Sequence, residues 1–345
     1  MNGPLPSVMR SPLCFQAKSP VYLSSGLVLG ALILLACLIC SILLGAAHIS
    51  PQTVWRALFQ FDGSTDHLII RTVRLPRAFL AIVVGASLAV AGAISQGLTR
   101  NPLAAPDILG VNVGAALAMV LGSLIGGDGG NHIGFAFAGA AVTAMVVYWL
   151  GSFGRSGLTP IKLVIAGAAL SYFLGSLTTG ILLLSQRTLD DIRFWLAGSL
   201  AGQDLDGLQT ILPYTIVGLI GALTLGRQLT LLTFGEEVAR GLGLQTARVK
   251  LGAASILVLL AGSAVAIAGP IGFVGLVVPH VVRFGVGVDY RWILPYAMVV
   301  GGIFLSLADM AARLVISPQE LPVGIMTAMV GAPFFIYLAR SQIKR

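Results

Sequence analysis

Residues 251–282 read LGAASILVLLAGSAVAIAGPIGFVGLVVPHVV and contain no Asp, Glu, Lys or Arg. As one α-helix the stretch would run about 48 Å at 1.5 Å per residue. That exceeds the roughly 30 Å of hydrocarbon in a bilayer. Gly269-Pro270 lies inside it, and proline lacks the N–H that a helix interior needs. The run therefore predicts two membrane spans, 249–268 and 271–287, that meet at a tight break. Its apolar residues are continuous rather than alternating, which selects helices over a barrel, the other architecture that satisfies backbone groups in lipid.

Working outward, eight more runs of suitable length are read at 22–47, 75–99, 108–127, 133–153, 161–185, 207–226, 292–316 and 322–340. The whole chain of 345 residues is 57% hydrophobic and only 10% charged, with mean hydropathy +0.94. Soluble domains are usually about 25% charged, so a soluble enzyme, a secreted disulfide scaffold and a disordered chain are excluded. The net charge is +8, but the basic residues are scattered, and no block of them suits nucleic acid. The fold class predicted is an all-α polytopic membrane protein of about ten transmembrane helices, with both termini cytoplasmic. That orientation puts 14 of the Lys and Arg residues inside and seven outside, as the positive-inside rule requires. The domains are then a cytoplasmic tail at 1–21, one transmembrane domain at 22–340 with a long inner loop at 228–248, and a tail at 341–345. The first apolar run is too long for the 7–15-residue core of a signal peptide, so it is read as a retained span.

The sequence holds no Gly-x-x-x-x-Gly-Lys-Ser/Thr phosphate loop, so the chain does not hydrolyse ATP by that route. Acidic residues within spans mark proton relays, and only Asp309 falls within one. Arg313 follows it at i, i+4, where the two neutralise each other on one helix face. This weakens an ion-coupled carrier working alone and puts the energy source on another chain. Cys37 and Cys40 stand in mid-span without polar neighbours and read as small hydrophobes. His48, His67, His132 and His280 lack metal-ligand spacing, so no metal site is expected. The 43 glycines suit close helix packing in lipid. A weak echo aligns residues 85–92 with 262–269, and the same offset matches Pro102 to Pro279 and Gly110 to Gly287. It raises an expectation of a duplicated helix set.

Three stretches carry the functional reading. The first is Arg74-Leu75-Pro76-Arg77, followed by the proline-bracketed loop at 101–111 (NPLAAPDILGV). The second is the amphipathic segment 234–244 (FGEEVARGLGL), which reads as a short surface helix with glycines at its stop. The third is the segment 268–280 (AGPIGFVGLVVPH), with Glu320-Leu321-Pro322-Val323-Gly324 and Gly331-Ala332-Pro333 downstream. Together, from about residue 50 to the C-terminus, they resemble the permease family of bacterial ABC importers for iron-siderophores and cobalamin, the FecCD family. Residues 191–200 (DIRFWLAGSL) are more similar to its ferric-siderophore members than to the cobalamin one, with a cobalamin or haem permease of the same family as the alternative.

The resemblance implies a non-catalytic, multi-pass subunit of the bacterial cytoplasmic membrane that binds no cofactor. ATP would be used by two partner ABC ATPases. A second permease, identical or paralogous, and an extracytoplasmic binding protein would complete the machine, with a ferric-siderophore as cargo. Arg74, Arg77 and Arg313 match the family's docking arginines, expected to stand out of the outer face and pair with carboxylates on the binding protein. Glu236, Glu237, Ala239, Arg240, Gly241 and Gly243 match the helix that couples to the ATPase. Asn101 and Leu103, with Thr159 and Pro160, match the inner gate, although Asn101 equally suits a cap for the turn before Pro102.

Overall fold

Two helices part at the break read from the sequence. One ends at Ala268, Gly269 takes φ +70°, and the next begins at Val274 after Phe273 at φ +67°. Glycine tolerates this positive φ, which would be strained for a residue with a side chain. A Cβ at that point would also collide with the backbone carbonyl of Trp195.

The computed structural model describes residues 19–45, 49–126, 132–154, 159–317 and 319–343. Of the tails expected at 1–21 and 341–345, residues 1–18 and 344–345 lie outside these, as do the inner-side charges Arg10, Lys18, Arg155, Lys344 and Arg345. The described chain is helical throughout. It opens with α1 (Pro20–Leu43), α2 (Pro51–Phe59) and α3 (Thr65–Leu68), then a π-helical turn (Ile69–Arg74) that leads into α4 (Leu75–Thr99). A 3₁₀ turn (Pro106–Leu109) precedes α5 (Val111–Gly126), α6 (His132–Ser152), α7 (Pro160–Leu184) and α8 (Gln186–Leu196). Then come α9 (Leu205–Thr224), α10 (Gly226–Thr233), α11 (Glu236–Gly241), α12 (Thr246–Ala268), α13 (Val274–Val286), α14 (Tyr290–Leu314) and α15 (Val323–Ile343).

Among the described residues, seven helical segments are long and apolar enough to cross a bilayer, and α5, α13 and α15 supply three shorter apolar helices. Every span read from the sequence falls on one of these segments. The small amphipathic α2, α8 and α11 lie between them and were not among the spans.

The core is organised around α4, which is buried along most of its length and packs against α12, α13 and α14. Bare backbone makes the approach possible. A Cβ on Gly85 would strike the carbonyl of Gly301 in α14, and one on Gly301 would strike that of Gly85. Lower on α4, Gly92 faces the backbone of Gly275 in α13 in the same way. With no hydrophobic force between helices in lipid, such van der Waals fit is what holds them. By contrast α7 packs against α5 and α6 but leaves a face open, exposing Tyr172, Phe173, Ser176 and Thr179.

The internal echo places residues 85–92 in α4 and 262–269 at the end of α12, but its proline pair differs locally. Pro102 stands in a turn whereas its counterpart Pro279 lies inside α13.

Gly92→Ala should overpack the α4–α13 contact, at about 1–3 kcal/mol, and lower the apparent melting temperature in detergent by several degrees. Gly175→Ala, on the open face of α7 with no atom within 4 Å of the added Cβ, should leave it unchanged or raise it. Thermal unfolding of the two purified variants checks the contrast.

Candidate functional sites at the two ends of the bundle

At the end predicted to face outside, the structure gathers Arg74, Arg77 and Arg313 into one cluster. They do not stand out of the surface, as the sequence reading expected. Each is 3–5% exposed. The reason lies in α1, whose last carbonyls have no intrahelical partner. Arg74 Nη1 donates to Ile42 O at 3.0 Å and to Leu43 O at 2.9 Å. Arg313 Nη1 donates to Ser41 O at 3.1 Å and Leu44 O at 2.9 Å, and its Nη2 donates to Ser41 Oγ at 2.8 Å. Cations at a helix C-terminus also meet the negative end of its dipole. The two guanidiniums thus close α1.

Asp309, fully buried, balances the cluster. Arg77 Nε donates to its Oδ1 at 2.9 Å, and Arg313 Nη2 lies 3.1 Å from Oδ2. The i, i+4 pair read from the sequence is present, but a second arginine, from α4, shares its carboxylate. Arg77 Nη1 also donates to Glu320, whose side chain is 32% exposed. Glu320 was quoted from the sequence only as part of a motif, and Ser41 was not singled out at all.

The other end carries the remaining expected residues. After α4, Arg100 turns left-handed at φ 52°, and Asn101 Oδ1 accepts from Leu103 N at 2.9 Å. Asn101 therefore caps a turn, but one that contains Pro102 rather than precedes it. Thr159 caps α7 by accepting from Lys162 N at 3.4 Å, with Pro160 in the first helical position. Thr159 and Pro160 share a narrow cavity of about 20 Å³ with Ser95 and Thr99 of α4 and with Lys250 of α12. Asn101 and Leu103 sit in the adjoining turn, outside that lining.

The segment read as a surface helix is α11. Gly235 enters it at φ +113°, and Gly243 leaves it at φ +81°. Leu244 N donates to Ala239 O at 3.0 Å and Gly243 N to Arg240 O at 2.9 Å, the paired bonds of a Schellman stop. Ala239 is buried, while Glu237, Arg240 and Gly241 are exposed. Phe234, Val238 and Leu242 follow one another at spacing four and are 51–65% exposed. An exposed apolar row of this kind suits contact with another protein or with a membrane surface. A Cβ on Gly241 would meet nothing within 4 Å, so the fold itself does not require glycine there.

Glu236 ties this helix to α12. Its Oε1 accepts from Arg240 Nη2 at 2.6 Å and from the Thr246 hydroxyl at 3.2 Å, and its Oε2 accepts from Lys250 Nζ at 2.6 Å. Partial burial acts to raise its carboxyl, but the Lys250 hydrogen bond and charge, with Arg240 and Thr246, hold it below the ordinary 4.5. Lys250 was counted from the sequence only as an inner-side charge. The available signal was its place, 14 residues after Glu236, as the last charged residue of α12 before an uncharged run.

Comparison with known proteins shows long matches. A model of the FecCD transport family matches residues 33–341. The probable siderophore transport system permease protein YfiZ of Bacillus subtilis (strain 168) is 49% identical over 319 residues, covering 90% of this chain and 94% of that one. The iron(3+)-hydroxamate import system permease protein FhuB of the same organism is 47% identical over 324 residues, covering 91% and 84%. A solved structure, "an inward-facing conformation of a putative metal-chelate type ABC transporter", superposes with TM-score 0.80 at 31% identity, covering 92% of this chain and 99% of that one.

Asp309→Asn should leave two buried guanidiniums facing a neutral amide, at about 3–5 kcal/mol, read as a large drop in melting temperature in detergent. At the other end the Glu236 contribution has a defined pH window. A carboxylate held lower in the folded state stabilises at pH above its ordinary 4.5 and ceases to as pH falls through the lower folded value. Amide exchange in residues 235–246, corrected for intrinsic rates, should stay constant from pH 7 to 5 and quicken only below about 4.5. Glu236→Gln should abolish that step.

Proposed function

Because the chain belongs to the FecCD transport family, we propose that it is the transmembrane subunit of an ATP-driven importer that takes ferric-siderophore chelates across the bacterial cytoplasmic membrane. The observation that carries the reading is α11: a short helix outside the spans, anchored from behind and presenting Phe234, Val238, Leu242 and an uncrowded Gly241 to a partner. A cytoplasmic ATPase is that partner. Two such ATPases, a second permease and an extracytoplasmic binding protein complete the assembly. The cargo follows the siderophore and iron-hydroxamate relatives rather than cobalamin or haem.

ATP-driven closure of the ATPases would displace α11, and the bundle would convert that push into opening or closing of a path. Asn101, Leu103, Thr159 and Pro160 form the inner gate, at the capped turn after α4 and the capped start of α7. The second permease packs against the open face of α7. Its exposed hydroxyls there are already satisfied by their own helix, with Ser176 Oγ donating to Tyr172 O at 2.8 Å and Thr179 Oγ1 to Gly175 O at 3.0 Å. Such a face carries polarity without charge, suited to a cargo that must pass without being held.

Docking of the binding protein is assigned to the surface over Arg74, Arg77 and Arg313. Since Arg74 and Arg313 close α1, the arginine available to a visitor is Arg77, whose partner Glu320 is partly open to solvent. An incoming carboxylate would take the place of Glu320. Its value is in register and encounter rate more than in affinity.

Two measurements test the proposal. Reconstituted with the neighbouring ATPase and binding protein, the chain should support ATP-dependent uptake of a ⁵⁵Fe-labelled ferric chelate. Uptake of cobalamin or haem instead overturns the cargo, and uptake driven by a proton gradient without ATPase overturns the class. Gly241→Trp should fold as wild type, since its Cβ has open space, yet lose at least tenfold in ATP-driven uptake through a blocked partner contact.

A further inference from the structure

Lys250 presents a problem that the reading above leaves open. It is 8% exposed, it sits in the first turns of a helix that crosses the membrane, and it is a lysine. Lysine in such a place is costly unless its charge is matched. The match is Glu236, 14 residues earlier and on a different helix, with Nζ to Oε2 at 2.6 Å. The same lysine lines the 20 Å³ cavity beside Ser95, Thr99, Thr159 and Pro160. One side chain therefore touches both α11 and the space where α4 ends and α7 begins.

The remaining attachments of α11 run the same way. Thr246, at the start of α12, is buried, and its hydroxyl lies 3.2 Å from both Glu236 Oε1 and Arg240 Nε. The Schellman stop folds the chain straight back into α12. With α11 only six residues long, its orientation is set by these contacts rather than by its own length. Glu236 and Lys250 are both largely withdrawn from water, at 28% and 10% side-chain exposure. A pair in that position is stiffer than a surface pair, which is screened and slack.

We infer that Lys250 is a positioning residue for transport: through Glu236 it fixes the attitude of α11 on α12, so that a displacement of α11 arrives at the cavity walled by Thr159 and Pro160. The inference rests on the importer reading, in which α11 receives the push of the ATPase. It assigns the transmission to one ion pair between two elements of this chain, and it makes α11 and the first turns of α12 move as one body.

The test uses the whole transporter in proteoliposomes, with uptake of a ⁵⁵Fe-labelled ferric trihydroxamate and ATP hydrolysis measured together. Lys250→Met should lower uptake per ATP hydrolysed about fivefold or more, the lower end of usual coupling energies. Lys250→Arg, which keeps the charge, should stay within twofold of wild type. A purely structural role would reduce uptake and hydrolysis in step and leave their ratio alone. The double variant Glu236→Gln/Lys250→Met leaves no buried charge unpaired, since Arg240, which also loses Glu236, is solvent-exposed, so it reads the same ratio should Lys250→Met fail to assemble. The double should be no worse than either single change.

A wild-type ratio in Lys250→Met, or in the double, overturns the strut while the importer reading stands. Wild-type vesicles that show no ATP-driven uptake of any ferric chelate overturn that reading and the strut together.

Discussion

A backbone carbonyl at the end of a helix has no water to turn to when it lies in hydrocarbon, and side chains must come to it. Much of the chemistry of this chain follows from that constraint. Arg74 and Arg313 close α1. Arg71 does the same for α2, donating to Ala57 O at 2.8 Å and Leu58 O at 3.0 Å. Trp195 Nε1 reaches Ala266 O at 3.4 Å, near the end of α12. Once cations are drawn inward for this purpose, anions must follow, and Asp309 and Glu320 supply them. A sparse set of charges is thus spent on the ends of helices. The helices themselves stay together by bare backbone approach, as at Gly85 with Gly301.

The two ends of the bundle solve opposite problems. At the arginine end the named side chains are turned inward, and the ion network joins α1, α4, α14 and the segment that leads to α15. At the α11 end the charges of Glu236 and Lys250 are also turned inward, but apolar Phe234, Val238 and Leu242 are exposed. The first end is therefore closed on itself, while the second leaves an apolar row uncovered.

The helical class, the spans and the break at Gly269-Pro270 were legible because they depend on local facts: run length, missing charge and a missing N–H. The surface helix and its glycine stop were legible for the same reason, since the Schellman bonds connect neighbours. Asn101 was readable as a turn cap. What could not be read was the direction in which an arginine points. Arg313 finds its acceptors 272 and 269 positions earlier, and no pattern within a window of sequence carries that. Matched to a docking role alone, the three arginines read as exposed, because the carbonyls that claim two of them are invisible in sequence. Lys250 was overlooked likewise: its partner is near in sequence but lies across a turn.

The closure of α1 has a further consequence, one of timing. The first span of a chain enters the bilayer first, and Arg74 emerges soon after it. Arg313 is translated some 270 residues after Ser41. At roughly 5–20 residues per second of synthesis, α1 waits on the order of 15–50 s for its last cap. Until then its outer end has a serine hydroxyl and two carbonyls still to be claimed. The end of α1 is thus complete only once α14 has been made, because the tertiary bonds that close it come from Arg313.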